Sequence, residues 1–180
     1  MKSDNDEFRR FVADNSSTLL RAAFLLLRDR QLAEDAMQST LMKTFQHWRR
    51  ARKAPEAYSQ VVLVNECRDF WRRSQRRPEW LRGESEANSE VIVPITDTIE
   101  QRLAIDDALR HLPALQREVL VLRYFLDQSV EEAAETLGIP AGTVKSSASR
   151  GLDELRRLLL LNDSKNWDEF QNRKEVRDAH

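Results

Sequence analysis

Glycine and proline are scarce, four and five among 180 residues. Sandwiches and barrels need more turn residues than that, so a β-rich fold is excluded. Cysteine occurs once, at Cys67, which rules out an internal disulfide and an all-cysteine metal site. No apolar run approaches the ~18 residues that a membrane-spanning helix requires. The opening Met1-Lys2-Ser3-Asp4-Asn5-Asp6-Glu7 has no apolar stretch of the kind that directs secretion. His47, His111 and His180 are scattered and have no partner at metal-ligand spacing. There is no glycine-rich phosphate cradle. The sequence therefore offers no catalytic residues, no metal and no cofactor, and we expect a cytoplasmic protein that is not an enzyme.

What is present favours helices. Leu, Ala, Arg and Glu dominate, with 41% apolar and 33% charged residues. The expected class is all-α, built as two small helical domains. Asp106-Asp107 reads as a solvated helix face, and Cys67 falls among apolar positions as a buried thiol.

The near-neutral total, −1, hides an uneven distribution. Residues 49–82 hold ten basic side chains against four acidic ones, and residues 83–115 hold two against seven. Residues 136–161 turn mildly basic again, with four against two. Two basic patches separated by an acidic stretch suit a polyanion held at two places, although solvated basic helix faces would give the same count.

Periodicity divides the chain. Residues 7–27 carry a broad apolar face interrupted by Asn15-Ser16-Ser17, which reads as one or two helices. In residues 31–48, Ala33, Ala36, Met37, Thr40, Leu41, Thr44, Phe45 and Trp48 recur at three-and-four spacing. The remaining stripe holds Gln31, Asp35, Gln38 and Met42. Pro55 opens a third helix that turns strongly basic at its C-terminal end. Together these give a first domain over residues 1–82. Residues 83–97 lose periodicity and read as a flexible acidic linker. Asp97-Thr98-Ile99-Glu100 resembles a capping box that opens a second domain, residues 98–161, in which Pro113 divides two helices. Residues 162–180 are polar and read as a frayed tail.

Two constellations point to nucleic acid. The first is the order Ser129-Val130-Glu131-Glu132, Ala134, Gly138, Val144. A capping box opens a short helix, a small residue admits its neighbour, Gly138 supplies a tight turn, and Val144 plugs the angle between helices. That is the pattern of a helix-turn-helix. If Val144, Ala148 and Leu152 face inward, Thr143, Ser146, Ser147 and Arg150 face outward on the first turns, where a recognition helix meets base edges. Lys145 and Ser149 flank them within reach of phosphates. The second is the stripe Asn65, Arg68, Asp69, Arg72, Arg73, Arg76 on the third helix, with Phe70, Trp71 and Trp80 interleaved. Basic groups tracking a backbone beside aromatic faces suit a partly single-stranded partner. Phe70 and Trp71 also suit a plain core.

The same residues, in order, resemble a bacterial RNA polymerase sigma factor of the sigma-70 family, extracytoplasmic-function (ECF) subfamily, of the SigE-like actinobacterial type. Ala33-Glu34-Asp35-Ala36-Met37-Gln38 through Trp48 resembles region 2.2. Ala57-Tyr58 through Asn65 and Arg68-Asp69-Phe70-Trp71-Arg72-Arg73 resemble regions 2.3 and 2.4. Leu112-Pro113 through Val119 resembles region 4.1, and Gly142-Thr143-Val144-Lys145-Ser146 with Arg150 resembles region 4.2.

The resemblance implies that region 2 binds core RNA polymerase on the β′ clamp helices through Asp35, Gln38 and Met42. It implies that the stripe from Asn65 to Arg76 meets the −10 element and assists its melting. Region 4 would read the −35 element through Thr143, Lys145, Ser146, Ser147, Ser149 and Arg150, and would sit on the β flap. Promoter DNA is the second partner and an anti-sigma factor a third, without membrane insertion. The chain departs from the family in carrying Pro140 where a Ser cap is common, and Ser147 where Arg is common. Read without the resemblance, the residues also suit a helix-turn-helix regulator acting apart from polymerase, or a helical adaptor without DNA.

Overall fold

The computed structural model describes residues 2–76 and 99–178, with side chains from residue 4 to 73 and from 104 to 160. The described residues form eight α-helices and one π-helical turn, without a strand. The linker, the capping box at Asp97, Trp80 and the side chain of Arg76 lie outside the described residues.

Helix α1 (Lys2–Leu27) runs unbroken through Asn15-Ser16-Ser17. Its polar residues turn back on the helix itself. Asn15 Nδ2 donates to the Phe11 carbonyl at 3.1 Å, and the Ser16 hydroxyl donates to that of Val12. The helix stops at Arg28, in the left-handed region at φ 62°. Asp29 then caps helix α2 (Arg30–Gln46) by accepting from the Leu32 N–H at 2.8 Å.

The inner face of α2 is made of small residues, Ala33, Ala36, Thr40 and Thr44. Both threonine hydroxyls are satisfied locally, donating at 2.7 and 2.8 Å to the carbonyls of Ala36 and Thr40. Small side chains let α2 pack closely between α1 and helix α4 (Pro55–Arg76). Helix α3 (Trp48–Ala51) is one short turn that carries Trp48 into an aromatic cluster with Phe8 and Phe11. Phe45, expected in the core, packs against Phe8 with the rings tilted and their centroids 4.8 Å apart, but is 49% exposed. The threonines fill the inner face and turn Phe45 to its margin. On α4, Leu63, Val64 and Cys67 are buried, and Glu66 is buried against the Lys43 ammonium.

The second unit begins with helix α5 (Ile99–His111) and turns at Pro113 into helix α6 (Ala114–Leu120). The chain then widens into a π-helical turn (Val121–Phe125), in which the Leu126 N–H reaches the Val121 carbonyl at 2.9 Å. Asp127, at φ 51°, redirects it. Helix α7 (Val130–Leu137) and helix α8 (Ala141–Asp178) complete the unit. Helix α8 continues past Leu161, where the sequence pattern predicts a frayed tail. Residues 152–178 contain no Gly or Pro to end it.

Candidate nucleic-acid and polymerase interface

The helix-turn-helix is built by local chemistry. Ser129 caps α7 by accepting from the Glu132 N–H at 3.1 Å, and Glu132 accepts from the Ser129 N–H at 2.7 Å. Those bonds, the backbone one first, hold the Glu132 carboxyl below the usual carboxylate range. At the other end Gly138 adopts φ 66°, and the Ile139 N–H closes the turn on the Ala134 carbonyl at 3.1 Å. Val144 is fully buried at the crossing of α7 and α8.

The rotation of α8 differs from the expected one. Ser147 is only 6% exposed, whereas Leu152 is exposed. The inward face is Val144, Ser147, Ala148, Gly151 and Leu155. It is set by Gly151, where an added Cβ would stand 3.2 Å from two side-chain atoms of Leu120. Small residues make this close approach to α6, so burial here does not follow hydrophobicity. Ser147 therefore leaves the outward set. Lys145, Ser149 and Arg150 are exposed and Thr143 and Ser146 half-buried, with the Ser146 hydroxyl donating to the Thr143 carbonyl at 3.2 Å.

On α4, Asn65, Arg72 and Arg73 are exposed and Asp69 is half-buried. Arg73 lies over the Phe70 ring, 4.7 Å from its centroid, and donates to the Asp69 carbonyl at 3.2 Å. Arg72 stands 3.6 Å from the Asp69 carboxylate. On α2, Asp35, Gln38 and Met42 are exposed together on the side away from the small-residue face. Phe45 extends that surface with a ring that the sequence pattern assigns to the core.

Arg68 differs from its neighbours on the stripe. It reaches the second unit, where its Nε and Nη2 donate to the two carboxylate oxygens of Glu118 at 3.1 and 2.8 Å. Its Nη1 donates to the Leu137 carbonyl at 3.2 Å. The Glu118 hydrogen bonds raise the guanidinium pKa further above its ordinary value.

More pairs cross the same seam. Arg21 on α1 donates to both oxygens of Asp106 on α5, at 2.5 and 2.6 Å. Asp106 is thus a partnered residue rather than part of a solvated face; Asp107 remains exposed. Arg28 donates to the Arg110 carbonyl. The Gln128 amide donates to Gln60 Oε1 at 2.7 Å, while its oxygen accepts from Thr136 at 3.2 Å. Between these contacts lies a cavity of about 330 Å³, lined among others by Leu26, Cys67, Arg68, Arg72, Leu115 and Arg117. Burial pushes the Cys67 thiol far above its ordinary range, and Glu118 and Glu66 add to the shift. Burial pulls the Arg117 pKa down, helped by the charge of Arg28. The sequence holds no signal for these partners, because they join positions 50 to 85 residues apart.

Comparison with known proteins agrees with the geometry. The family model "Sigma-70 region 2" matches residues 11–77, and "Sigma-70, region 4" matches residues 102–155. The RNA polymerase sigma-E factor of Streptomyces coelicolor is 35% identical over 162 residues, spanning 87% of this chain and 88% of that one. The ECF RNA polymerase sigma factor SigM of Mycobacterium tuberculosis is 29% identical over 161 residues, 87% of this chain and 79% of that one. Among solved structures, the sigma factor RpoE in complex with the anti-sigma factor NepR from Bartonella quintana superposes with a TM-score of 0.68. It is 29% identical and covers 84% of this chain and 96% of that one.

Proposed function

The chain belongs to the sigma-70 family of RNA polymerase sigma factors, in the ECF subfamily, and on that premise we propose how its parts divide the work. It binds core RNA polymerase and directs promoter-specific initiation. It is a transcription initiation factor, and the polymerase carries out the chemistry in the cytoplasm. No helix among the described residues is long and apolar enough to cross a membrane.

Residues 1–82 form region 2. The exposed α2 surface of Asp35, Gln38 and Met42 docks on the β′ clamp helices, a mixed polar and apolar face meeting a helical partner. The α4 stripe, Asn65, Arg68, Asp69, Arg72, Arg73 and Arg76, meets the −10 element and holds the displaced strand. Extruding a base costs a few kcal/mol, offset by backbone contacts and stacking.

Residues 98–161 form region 4, joined through the 83–97 linker and followed by the 162–180 tail. Helix α8 enters the −35 major groove with Thr143, Ser146 and Arg150, and Lys145 and Ser149 position it on phosphate. The same unit rests on the β flap. An anti-sigma factor is a further partner, as it is for the RpoE of Bartonella quintana.

The observation that carries this reading is the coexistence, in one chain, of a capped helix-turn-helix and a separate arginine stripe. Run-off transcription with purified core polymerase and a promoter library tests it. The expected result is promoter-selective transcripts that depend on the chain. Tight palindromic DNA binding without polymerase, and no selective transcript, would overturn it.

A further inference from the structure

We propose that the cavity between the two units is a binding site for a small amphipathic anion, a carboxylate carried on an apolar body. Its anchoring residue, Arg117, belongs to neither surface assigned above to DNA. The volume of about 330 Å³ lies at the small end of the range of ligand sites, roughly 300–1,000 Å³. The walls divide by chemistry. Leu26, Leu27 and Val64 of the first unit and Leu115 of the second line it with apolar surface. The charged groups of the lining are three guanidiniums, Arg68, Arg72 and Arg117, against one carboxylate, Glu118.

Arg117 decides what the site takes. It is 5% exposed, so its charge has lost most of its contact with water. Burying a guanidinium is costly unless a carboxylate pairs with it and its N–H groups find acceptors. Among the described residues Arg117 is poorly served on both counts. Its Nη1 donates to the Leu112 carbonyl at 3.3 Å, and its buried Nε has no partner. The adjacent Glu118 is already committed, since both of its oxygens accept from Arg68. Arg72, on the exposed side of the cavity, stands 3.6 Å from the Asp69 carboxylate. The lining therefore carries a positive charge that no carboxylate in it neutralises.

A carboxylate against Arg117 supplies both the counter-charge and the acceptor, while an apolar body covers the leucines. A bare inorganic anion leaves the apolar walls uncovered, and a neutral apolar molecule leaves Arg117 unpaired. Titration calorimetry of the full chain tests this with octanoate and naphthoate as probes, and with octanol and acetate as the neutral and the body-less comparison. Two variants locate the site. Arg117→Gln removes the anchoring charge. Ala114→Trp places a bulky ring at an exposed lining position, outside the core, so the fold survives it.

The expected result is saturable binding of at least one of the two carboxylates, one molecule per chain, about tenfold or more tighter than octanol or acetate. That binding should be lost in Ala114→Trp and, if Arg117→Gln folds, in that variant too; circular dichroism reads the fold of each. Should Arg117→Gln fail to fold, Ala114→Trp and the comparison with octanol decide. Binding that persists in Ala114→Trp puts the anion elsewhere and overturns the site. Octanol binding as tightly as octanoate overturns the role of the charge. No saturable binding of either carboxylate overturns the proposal as a whole.

Discussion

Gly151 and Leu120 are packed so closely that a Cβ on the glycine would stand 3.2 Å from both Cγ and Cδ1 of the leucine, and 3.4 Å from Cβ of Gln116. Two effects then compete on substitution. A methyl group removes the backbone freedom that disfavours glycine within a helix, a gain of up to about 1 kcal/mol, and crowds a buried leucine by a similar amount. We expect Gly151→Ala to stay within about 0.5 kcal/mol of the parent, and Gly151→Val to cost about 2 kcal/mol by overpacking. Urea denaturation checks both; equal stability of all three proteins would show that α8 can shift freely away from α6.

The α2 surface carries a prediction about polymerase. Asp35→Ala with Gln38→Ala touches only exposed side chains, so the fold should survive. Affinity for core polymerase should fall by roughly 1–2 kcal/mol, the decrease expected when interface side chains are truncated. A titration of labelled variant against core polymerase measures it, and an unchanged dissociation constant removes this surface from the interface.

Melting depends on Arg72 and Arg73 in our reading. Their double truncation to alanine should weaken permanganate reactivity of the −10 bubble. It should also lower the salt slope of open-complex formation by about 0.7 for each single-strand phosphate that an arginine no longer neutralises. Bubbles of wild-type intensity would leave the stripe as a solvated face.

For the −35 element, Arg150 is the one member of the base-facing set Thr143, Ser146 and Arg150 able to grip guanine with two hydrogen bonds. Arg150→Ala should cost roughly 1–3 kcal/mol on the preferred sequence and relax one position, whereas Lys145→Ala should weaken all sequences alike. Ser147→Ala, buried on the inner face, should leave the preference untouched. Binding to a −35 library at fixed salt distinguishes the three.

The capping box gives a pH dependence. The Glu132 pKa is depressed in the fold, so its contribution is complete above the unfolded-state value, near 4.5, and is lost as pH falls through the lower folded value. Glu132→Gln should therefore differ from the parent at neutral pH and converge with it in acid. Ser129→Ala should cost about 1 kcal/mol near neutrality. Thermal melts of the three proteins across pH provide the check, and a constant gap between parent and Glu132→Gln would refute the linkage.

What is legible in the sequence is local. Helix limits at Pro55 and Pro113, the Ser129 box and the turn at Gly138 are each decided by residues a few positions apart, and each stands in the structure as the pattern predicts. The rotation of α8 is not legible, because Leu152 has the character of a core residue, while Ser147 and Gly151 are buried for their small size. Phe45 departs from its pattern for the same reason, since threonines take the inner face of α2. Arg68 belongs to the stripe that its spacing predicts. Its partner Glu118 is out of reach of any local pattern, because pairing across 50 residues is decided by how the two units meet. Asp106 looks solvated in the sequence on the same ground.

Cys67, the single thiol, is 4% exposed and lines the cavity between the two units. Burial raises its pKa and shields the sulfur, so we expect slow reaction with alkylating reagents for as long as the neighbouring surfaces stay together. Its modification rate in native buffer is then a count of openings, read from the natural sequence without any added label. Mass spectrometry of iodoacetamide uptake over time turns that buried sulfur into a clock for the protein's own breathing.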